Sequence, residues 1–188
     1  MQTKTLCINM FAGPGAGKTT AAWGVASLLK QSGLCVEYVG EYAKELVWDG
    51  KYELLDGSLK NQIGIFEEQA RRLERLNGKV DAIVTDSPLP LRLVYGKENT
   101  EHFRDTVMQA FERCDSVNFF ISRADRPFEQ RGRLQNLEES MQKDLEIYDL
   151  LQQCEIPFSI YSASQLEEMT AIAVNEIQRI NQQMLLEL

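Results

Sequence analysis

Short apolar runs alternate with longer amphipathic segments along the whole chain. The apolar runs are rich in aromatic and β-branched residues, which predicts strands over residues 5–11, 35–41, 82–85, 117–121 and 158–161. Apolar residues at three- and four-residue spacing predict helices over residues 20–30, 42–48, 58–76, 100–113, 137–153 and 166–184. This alternation is typical of a doubly wound α/β domain, in which helices cover both faces of a parallel sheet of about five strands.

A glycine-rich segment joins the first predicted strand to the first predicted helix. Strand, glycine-rich turn, Gly-Lys-Thr and helix together make the P-loop in the context that this motif requires. Glycines let backbone N–H groups converge on phosphate oxygens, and the helix adds its positive N-terminal end. We predict that Lys18 reaches the β- and γ-phosphates of a nucleoside triphosphate and that Thr19 coordinates Mg²⁺. The predicted nucleotide-binding residues are Gly13, Pro14, Gly15, Ala16, Gly17, Lys18, Thr19 and Thr20.

Polar residues also follow the other predicted strands, where ligands of such sheets bind. Asp86 follows the third strand and fits a carboxylate that holds Mg²⁺ through water beside Thr19; the alternative is a residue that caps the following turn. Ser87 is a candidate substrate contact. Glu41 follows the second strand and is a candidate general base, a hydrogen-bond acceptor for substrate, or an acidic residue favoured at a helix N-terminus.

Arginines are concentrated between residues 123 and 135, after the fourth predicted strand. We interpret this segment as a lid that closes over the triphosphate and excludes water. In this interpretation Arg131 and Arg133 reach the transferring phosphoryl group, and Arg123 and Arg126 bind the nucleotide. The alternative is a solvated run of charges.

The long helix predicted over residues 58–76 carries three candidate contacts to the phosphate acceptor: Gln62, Gln69 and Arg72. Amide side chains can read the edge of a base. The alternative is that these are surface polar residues of an amphipathic helix.

Composition and charge set the remaining bounds. A chain of 188 residues with 26% charged and 44% hydrophobic residues predicts one globular domain, with no membrane span and no signal peptide, in the cytoplasm. The four scattered cysteines predict buried free thiols. The net charge of −8 comes entirely from residues 134–188, so any nucleic acid has to meet the other side of the molecule.

Three further segments carry a resemblance to a known family: Glu41-Tyr42-Ala43-Lys44, Thr85-Asp86-Ser87-Pro88-Leu89 and Arg131-Gly132-Arg133-x-Gln135. With the P-loop, they make the chain resemble the small bacteriophage P-loop kinases that phosphorylate 5-hydroxymethyluracil in DNA. The resemblance implies that ATP, with Mg²⁺, donates its γ-phosphate to the 5-hydroxymethyl group, as a step in thymidine hypermodification in the host cytoplasm. The first segment is also similar to nicotinamide-riboside kinases.

Three functions therefore stay open. The first is a kinase that acts on a modified base in DNA. The second is a kinase of a free nucleoside or nucleotide, which the acidic balance of the chain favours. The third is a non-kinase NTPase switch, against which stand the arginine-rich segment and the absence of a guanine-reading Asn-Lys-x-Asp motif. The apolar stripe of the last helix is consistent with a monomer or a homodimer.

Overall fold

The fold is organised around a sheet of parallel strands in the order β2-β3-β1-β4-β5. The computed structural model describes residues 4–123 and 134–186. Its strands are β1 (Leu6–Phe11), β2 (Val36–Val39), β3 (Ala82–Thr85), β4 (Ser116–Ser122) and β5 (Ser159–Ser162). All four neighbouring pairs run parallel, so the carboxyl ends of the strands meet at one edge.

Helices and one 3₁₀ turn connect these strands. The helices are α1 (Lys18–Gln31), α2 (Tyr42–Trp48), α3 (Leu59–Glu74), α4 (Leu91–Tyr95), α5 (Glu101–Phe111), α6 (Leu137–Gln153) and α7 (Leu166–Leu186), and the 3₁₀ turn covers Tyr52–Leu55. The predicted strands and long helices are confirmed with shifts of a few residues at their ends. The sequence pattern did not predict α4 or the 3₁₀ turn, because four or five residues are too short to show a helical period.

The central strand β1 is buried on both faces, and its alternate residues pack into different clusters. Leu6, Ile8 and Met10 point to one face, where they pack with residues of α1 and α7. Phe11 points to the other face and packs with α4 and α6. This arrangement confirms the predicted α/β fold with helices on both faces of a parallel sheet.

The cysteines are free as predicted, but the expectation that they are buried is wrong for three of the four: Cys7 is buried, Cys114 and Cys154 are half-buried, and Cys35 is exposed. Among the helices described by the structure, none is both long and apolar enough to cross a membrane. The lid residues Arg126, Arg131 and Arg133 lie outside the described residues, so their roles stay predictions.

Candidate active site

The loop between β1 and α1 has the backbone conformation that its glycines predict. Gly15 and Gly17 have φ angles of 76° and 102°, which L side chains rarely adopt. A Cβ on Gly17 would also lie 2.8 Å from the Cβ of Ala163. Lys18 is the first residue of α1, and its Nζ donates hydrogen bonds to the carbonyl oxygens of Ala12 (2.8 Å) and Gly13 (3.0 Å). The ammonium group therefore folds back over the loop.

A partly buried ion pair attaches this loop to α6. Asp144 accepts hydrogen bonds from the backbone N–H of Gly13 and from Nε of Arg123, each at 2.5 Å. Arg123 Nη2 also donates to the carbonyl oxygen of Pro14 at 2.9 Å and to Ser140. A Cβ on Gly13 would collide with the Ser140 carbonyl oxygen, so only glycine permits this close approach. The Arg123 guanidinium therefore braces the loop, and its predicted contact to the nucleotide stays a prediction.

Thr19 and Asp86 meet directly beside the loop. The Thr19 hydroxyl donates to Asp86 Oδ2 at 2.5 Å, and Asp86 is 2% exposed. Its other oxygen, Oδ1, has no hydrogen-bond partner among residues 4–123 and 134–186. Burial raises the pKa of Tyr38 well above its ordinary value, and the neighbouring Asp86 carboxylate adds to the shift. Tyr38 is therefore a neutral phenol beside this carboxylate.

The pair fits a magnesium ion. Mg²⁺ prefers oxygen ligands, keeps several waters and is commonly held by one or two protein oxygens together with substrate phosphates. A hydroxyl and a buried carboxylate with an unpartnered oxygen match that preference. The described residues contain no cluster of three or more His, Cys, Asp or Glu side chains that would form an all-protein metal site.

A cleft with a volume of about 720 Å³ opens over the loop. Lys18 and Thr19 line it. Glu41, Gln62 and Arg92 line it as well, and they come from the start of α2, from α3 and from α4. Glu41 stands at the N-cap of α2, directly after β2, and its side chain is 25% exposed. The fold thus brings Lys18, Thr19, Glu41 and Gln62 to one cavity.

Arg92 was missed by the sequence analysis. It lies on α4, is 2% exposed, and its guanidinium carbon lies 5.3 Å from the centroid of the Tyr95 ring. Within the described part of the chain, its Nε and Nη2 have no hydrogen-bond partner. Burial lowers the pKa of Arg92 and the Glu41 carboxylate opposes the shift; an arginine remains charged in either case. The available signal was a lone arginine in the otherwise apolar segment 88–95.

A family model described as an AAA domain matches residues 7–168 of the chain, which include the loop, Glu41, Asp86 and Arg92. The chain belongs to this AAA domain family, AAA_28. No curated protein matches it. Among solved structures, one described as "Crystal structure of APE1195" is 17% identical, with a TM-score of 0.44 over 96% of this chain and 97% of that chain. At that identity and TM-score the likeness says nothing about function.

Three other predicted substrate contacts, Gln69, Arg72 and Ser87, are not among the residues that line the cleft. Gln69 accepts from the N–H of Tyr42 (3.0 Å) and donates to the carbonyl oxygen of Gly40 (3.1 Å). Arg72 donates to Glu45 and Glu68 at 2.6–2.8 Å. Ser87 is 1% exposed. Gln69 and Arg72 therefore connect parts of the fold, and the role of all three side chains toward an acceptor stays a prediction.

Gln69 nevertheless bears on the site. Gly40 and Tyr42 are the residues on either side of Glu41, and the amide of Gln69 binds one backbone group of each. Gln69 is itself 1% exposed, so it is fixed by its surroundings. The side chain acts as a clamp that sets the position of the Glu41 backbone.

Proposed function

We propose that this AAA domain is an ATP-dependent kinase that phosphorylates the hydroxymethyl group of 5-hydroxymethyluracil in DNA. The observation that carries the proposal is that Glu41 lines the same cleft as Lys18 and Thr19 of the phosphate-binding loop. A volume of about 720 Å³ is in the range of small-molecule sites, and the cleft reaches beyond the loop to Gln62 and Arg92. The cavity therefore offers space for an acceptor beside the phosphates. The proposed identity of the acceptor comes from the resemblance of the chain's sequence motifs to those of the phage kinases.

The transfer itself needs one proton acceptor and one cation at the phosphates. Glu41 takes the proton of the hydroxymethyl O–H, and the oxygen forms a bond to the γ-phosphorus as the bond from that phosphorus to the β,γ-bridging oxygen breaks. The bridging oxygen keeps the electron pair and leaves on ADP. Lys18 stabilises the negative charge of the β- and γ-phosphates. In this proposal the products are ADP and a phosphomethyl ester on the base.

Thr19 and Asp86 would hold Mg²⁺ in this reaction, Asp86 through water. When bound, the ion neutralises phosphate charge. Asp86 and Glu41 then have separate tasks, since one carboxylate serves the metal and the other serves the nucleophile.

Gln62 supports a pyrimidine as the group that carries the hydroxyl. Its side chain is 3% exposed, lines the cleft, and has an Oε1 without a hydrogen-bond partner in the described residues. A buried amide oxygen is costly to leave unpaired. The N3–H of a uracil ring is a donor that would satisfy it.

The second candidate is a kinase of a free nucleoside or nucleotide. A DNA backbone needs unneutralised cations, but two arginines of α3, Arg71 and Arg72, form ion pairs with Glu68, and Arg72 also pairs with Glu45. This neutralised surface favours a small acceptor. A non-kinase NTPase is the third candidate, because an AAA domain is compatible with simple hydrolysis.

Transfer from γ-labelled ATP distinguishes these candidates. The acceptors are a duplex with 5-hydroxymethyluracil, the same duplex with thymine, the free hydroxymethyl nucleoside and its monophosphate; release of phosphate without acceptor is measured in parallel. We expect label only on the hydroxymethylated duplex. Label on the free compounds alone would favour the second candidate, and acceptor-independent hydrolysis alone would favour the third.

Two lysines of α1 give a matched control for this assay. Lys18→Met should abolish transfer. Lys30→Met should not, since Lys30 is at the far end of the helix and forms an exposed ion pair with Glu37. Equal activity in both variants would exclude the phosphate-binding loop as the site of transfer.

A further inference from the structure

We propose that Arg92 forms an anion subsite on the acceptor side of the cleft, and that it binds a phosphate group of the acceptor. The assignment of the anion to the acceptor rests on the proposed function. The phosphate has two possible sources, the 5′-monophosphate of a free nucleotide or a phosphodiester that flanks the modified base in DNA. Either source excludes a neutral nucleoside as the preferred acceptor.

The unpartnered atoms of Arg92 are the two that together bind a planar anion. Nε and Nη2 lie on one edge of the guanidinium, and that edge makes two parallel hydrogen bonds to a phosphate or carboxylate. Neither atom has a hydrogen-bond partner in the described residues, although both are buried. Leaving a buried charged group without hydrogen bonds is unfavourable. An anion that enters the cleft would complete the arrangement.

Glu41 does not fill this role in the structure. Its Oε1 lies 3.9 Å from Arg92 Nη2, which is an ion-pair distance but too long for a hydrogen bond. The clamp by Gln69 fixes the backbone on both sides of Glu41. The Tyr95 ring covers one face of the guanidinium, but a ring over the face does not occupy the edge. The Nε–Nη2 edge is therefore available to a ligand.

The charge of the cleft also favours an anionic acceptor. Its lining residues comprise five basic side chains, Lys18, Lys44, Arg92, Lys97 and Lys143, and two acidic ones, Glu41 and Asp56. The whole chain carries −8. A basic cavity in an acidic protein concentrates anions at that point. Lys18 serves the nucleotide in the proposed reaction, and Lys143 already pairs with Glu146 at 2.6 Å, so Arg92, Lys44 and Lys97 are the cleft cations placed to serve a second anion.

Binding measurements without transfer test this subsite. With ADP present, calorimetry gives the dissociation constants of the hydroxymethyl nucleoside, its 5′-monophosphate and a trinucleotide with the modified base in the middle; thymidine and its monophosphate serve as a pair without the hydroxyl. We expect the phosphate-bearing ligands to bind wild type about tenfold more tightly than the nucleosides. Preference for the monophosphate alone identifies a free nucleotide, and preference for the trinucleotide alone identifies DNA.

Variants of Arg92 then assign the preference to this side chain. Arg92→Met should remove the preference while the affinity for ADP and for the nucleoside stays near the wild-type value. Arg92→Lys should restore only part of it, because an ammonium keeps the charge and loses the two-bond edge. Lys79→Met is the matched control, because Lys79 is exposed and does not line the cleft.

Three results would overturn the proposal. Wild type that binds nucleoside and nucleotide equally has no such subsite. A loss of ADP affinity in Arg92→Met assigns the arginine to the nucleotide. If Arg92→Met lowers the thermal midpoint but keeps the preference for phosphate-bearing ligands, Arg92 has a structural role. If Arg92→Met does not fold, the ligand preferences of Arg92→Lys and of the wild type still decide the question. The binding measurements do not depend on phosphate transfer. A failed kinase assay together with an intact preference for phosphate-bearing ligands would therefore reject the proposed function and leave the anion subsite standing.

Discussion

At the scale of single residues, Glu41 depends on a side chain that never touches the cleft. Gln69 binds the backbone before and after Glu41, so the position of the proposed base is set from α3. We expect Gln69→Leu to lower turnover at saturating ATP and acceptor, because the carboxylate is no longer held at the acceptor hydroxyl. The affinity for ADP should not change. Steady-state kinetics and ADP titration measure the two effects.

The coupling between these two residues provides the control. If Gln69 acts through Glu41, the double variant with Glu41→Gln should be hardly slower than Glu41→Gln alone. Additive losses would mean that Gln69 supports the fold and not the base. Gln62→Leu is the comparison on the same helix, and it should raise the KM for the acceptor because Gln62 lines the cleft.

Substitution of the two carboxylates, Asp86 and Glu41, should produce different defects in activity. Asp86→Asn should raise the Mg²⁺ concentration required for activity, because the buried carboxylate beside Thr19 loses its charge. Glu41→Gln should lower turnover with ADP affinity intact, because only the proton acceptor is lost. Activity over a Mg²⁺ series, with ADP binding measured separately, distinguishes the variants. Identical defects would contradict the separate roles.

The residues that sequence reasoning located are those whose place follows from the strand order. Glu41 and Asp86 follow β2 and β3, Lys18 and Thr19 begin the helix after β1, and parallel strands bring their carboxyl ends to one edge. Arg123 also follows a strand, but its partner Asp144 lies 21 residues further along the chain on α6, so its role depends on tertiary packing. The same holds for Gln69, whose partners lie 27 and 29 residues away.

At the scale of elements, charged side chains join α2 to α3. Arg72 pairs with Glu45 of α2 and with Glu68 of its own helix, and it stacks over Tyr42. The spacing of Glu68 to Arg71 and Arg72 is visible in the sequence as three- and four-residue pairs. The pair to Glu45 is not, because it needs the packing of two helices. Arg71 and Arg72 of α3 therefore find their acidic partners within the protein.

This network predicts a pH dependence of stability. Hydrogen bonds from Arg71 and Arg72 lower the pKa of Glu68 to about 2, against an ordinary value of 4.5. Because the folded-state pKa is the lower one, the pairs stabilise the protein above about pH 4.5, and this contribution is lost as the pH falls toward 2. We expect Glu68→Gln to reduce the fall in the free energy of unfolding across that window, by less than about 1 kcal/mol for so exposed a network.

Denaturant unfolding at a series of pH values measures this effect. Glu67→Gln is the matched control. Glu67 is the exposed neighbour of Glu68, so this substitution removes the same charge and leaves the ion-pair network intact. A pH profile of Glu68→Gln that runs parallel to wild type would show that these ion pairs contribute nothing to stability.

At the scale of the whole molecule, charge is divided between a basic cleft and an acidic remainder. Residues 134–188 carry the entire net charge of −8. The acidic C-terminal part could be predicted from the sequence, whereas the basic cleft could not. Lys44 on α2, Lys97 just after α4 and Lys143 on α6 are far apart in the chain, and they come to one cavity only in the folded structure. DNA, if it is the substrate, has to approach through this cleft.

The salt dependence of DNA binding tests that approach. Cations around one cleft can neutralise about two to four phosphates, so the logarithm of affinity should fall with the logarithm of salt concentration with a slope between about −2 and −3.5. Anisotropy of a labelled hydroxymethyluracil duplex measures the slope. Lys44→Met should make it shallower by about one, whereas Lys79→Met, outside the cleft, should leave it unchanged. A slope that corresponds to more than about six phosphates would require a second basic surface. Binding that does not change with salt would mean that the protein makes no contacts to the DNA phosphates. The free nucleoside would then be the favoured substrate.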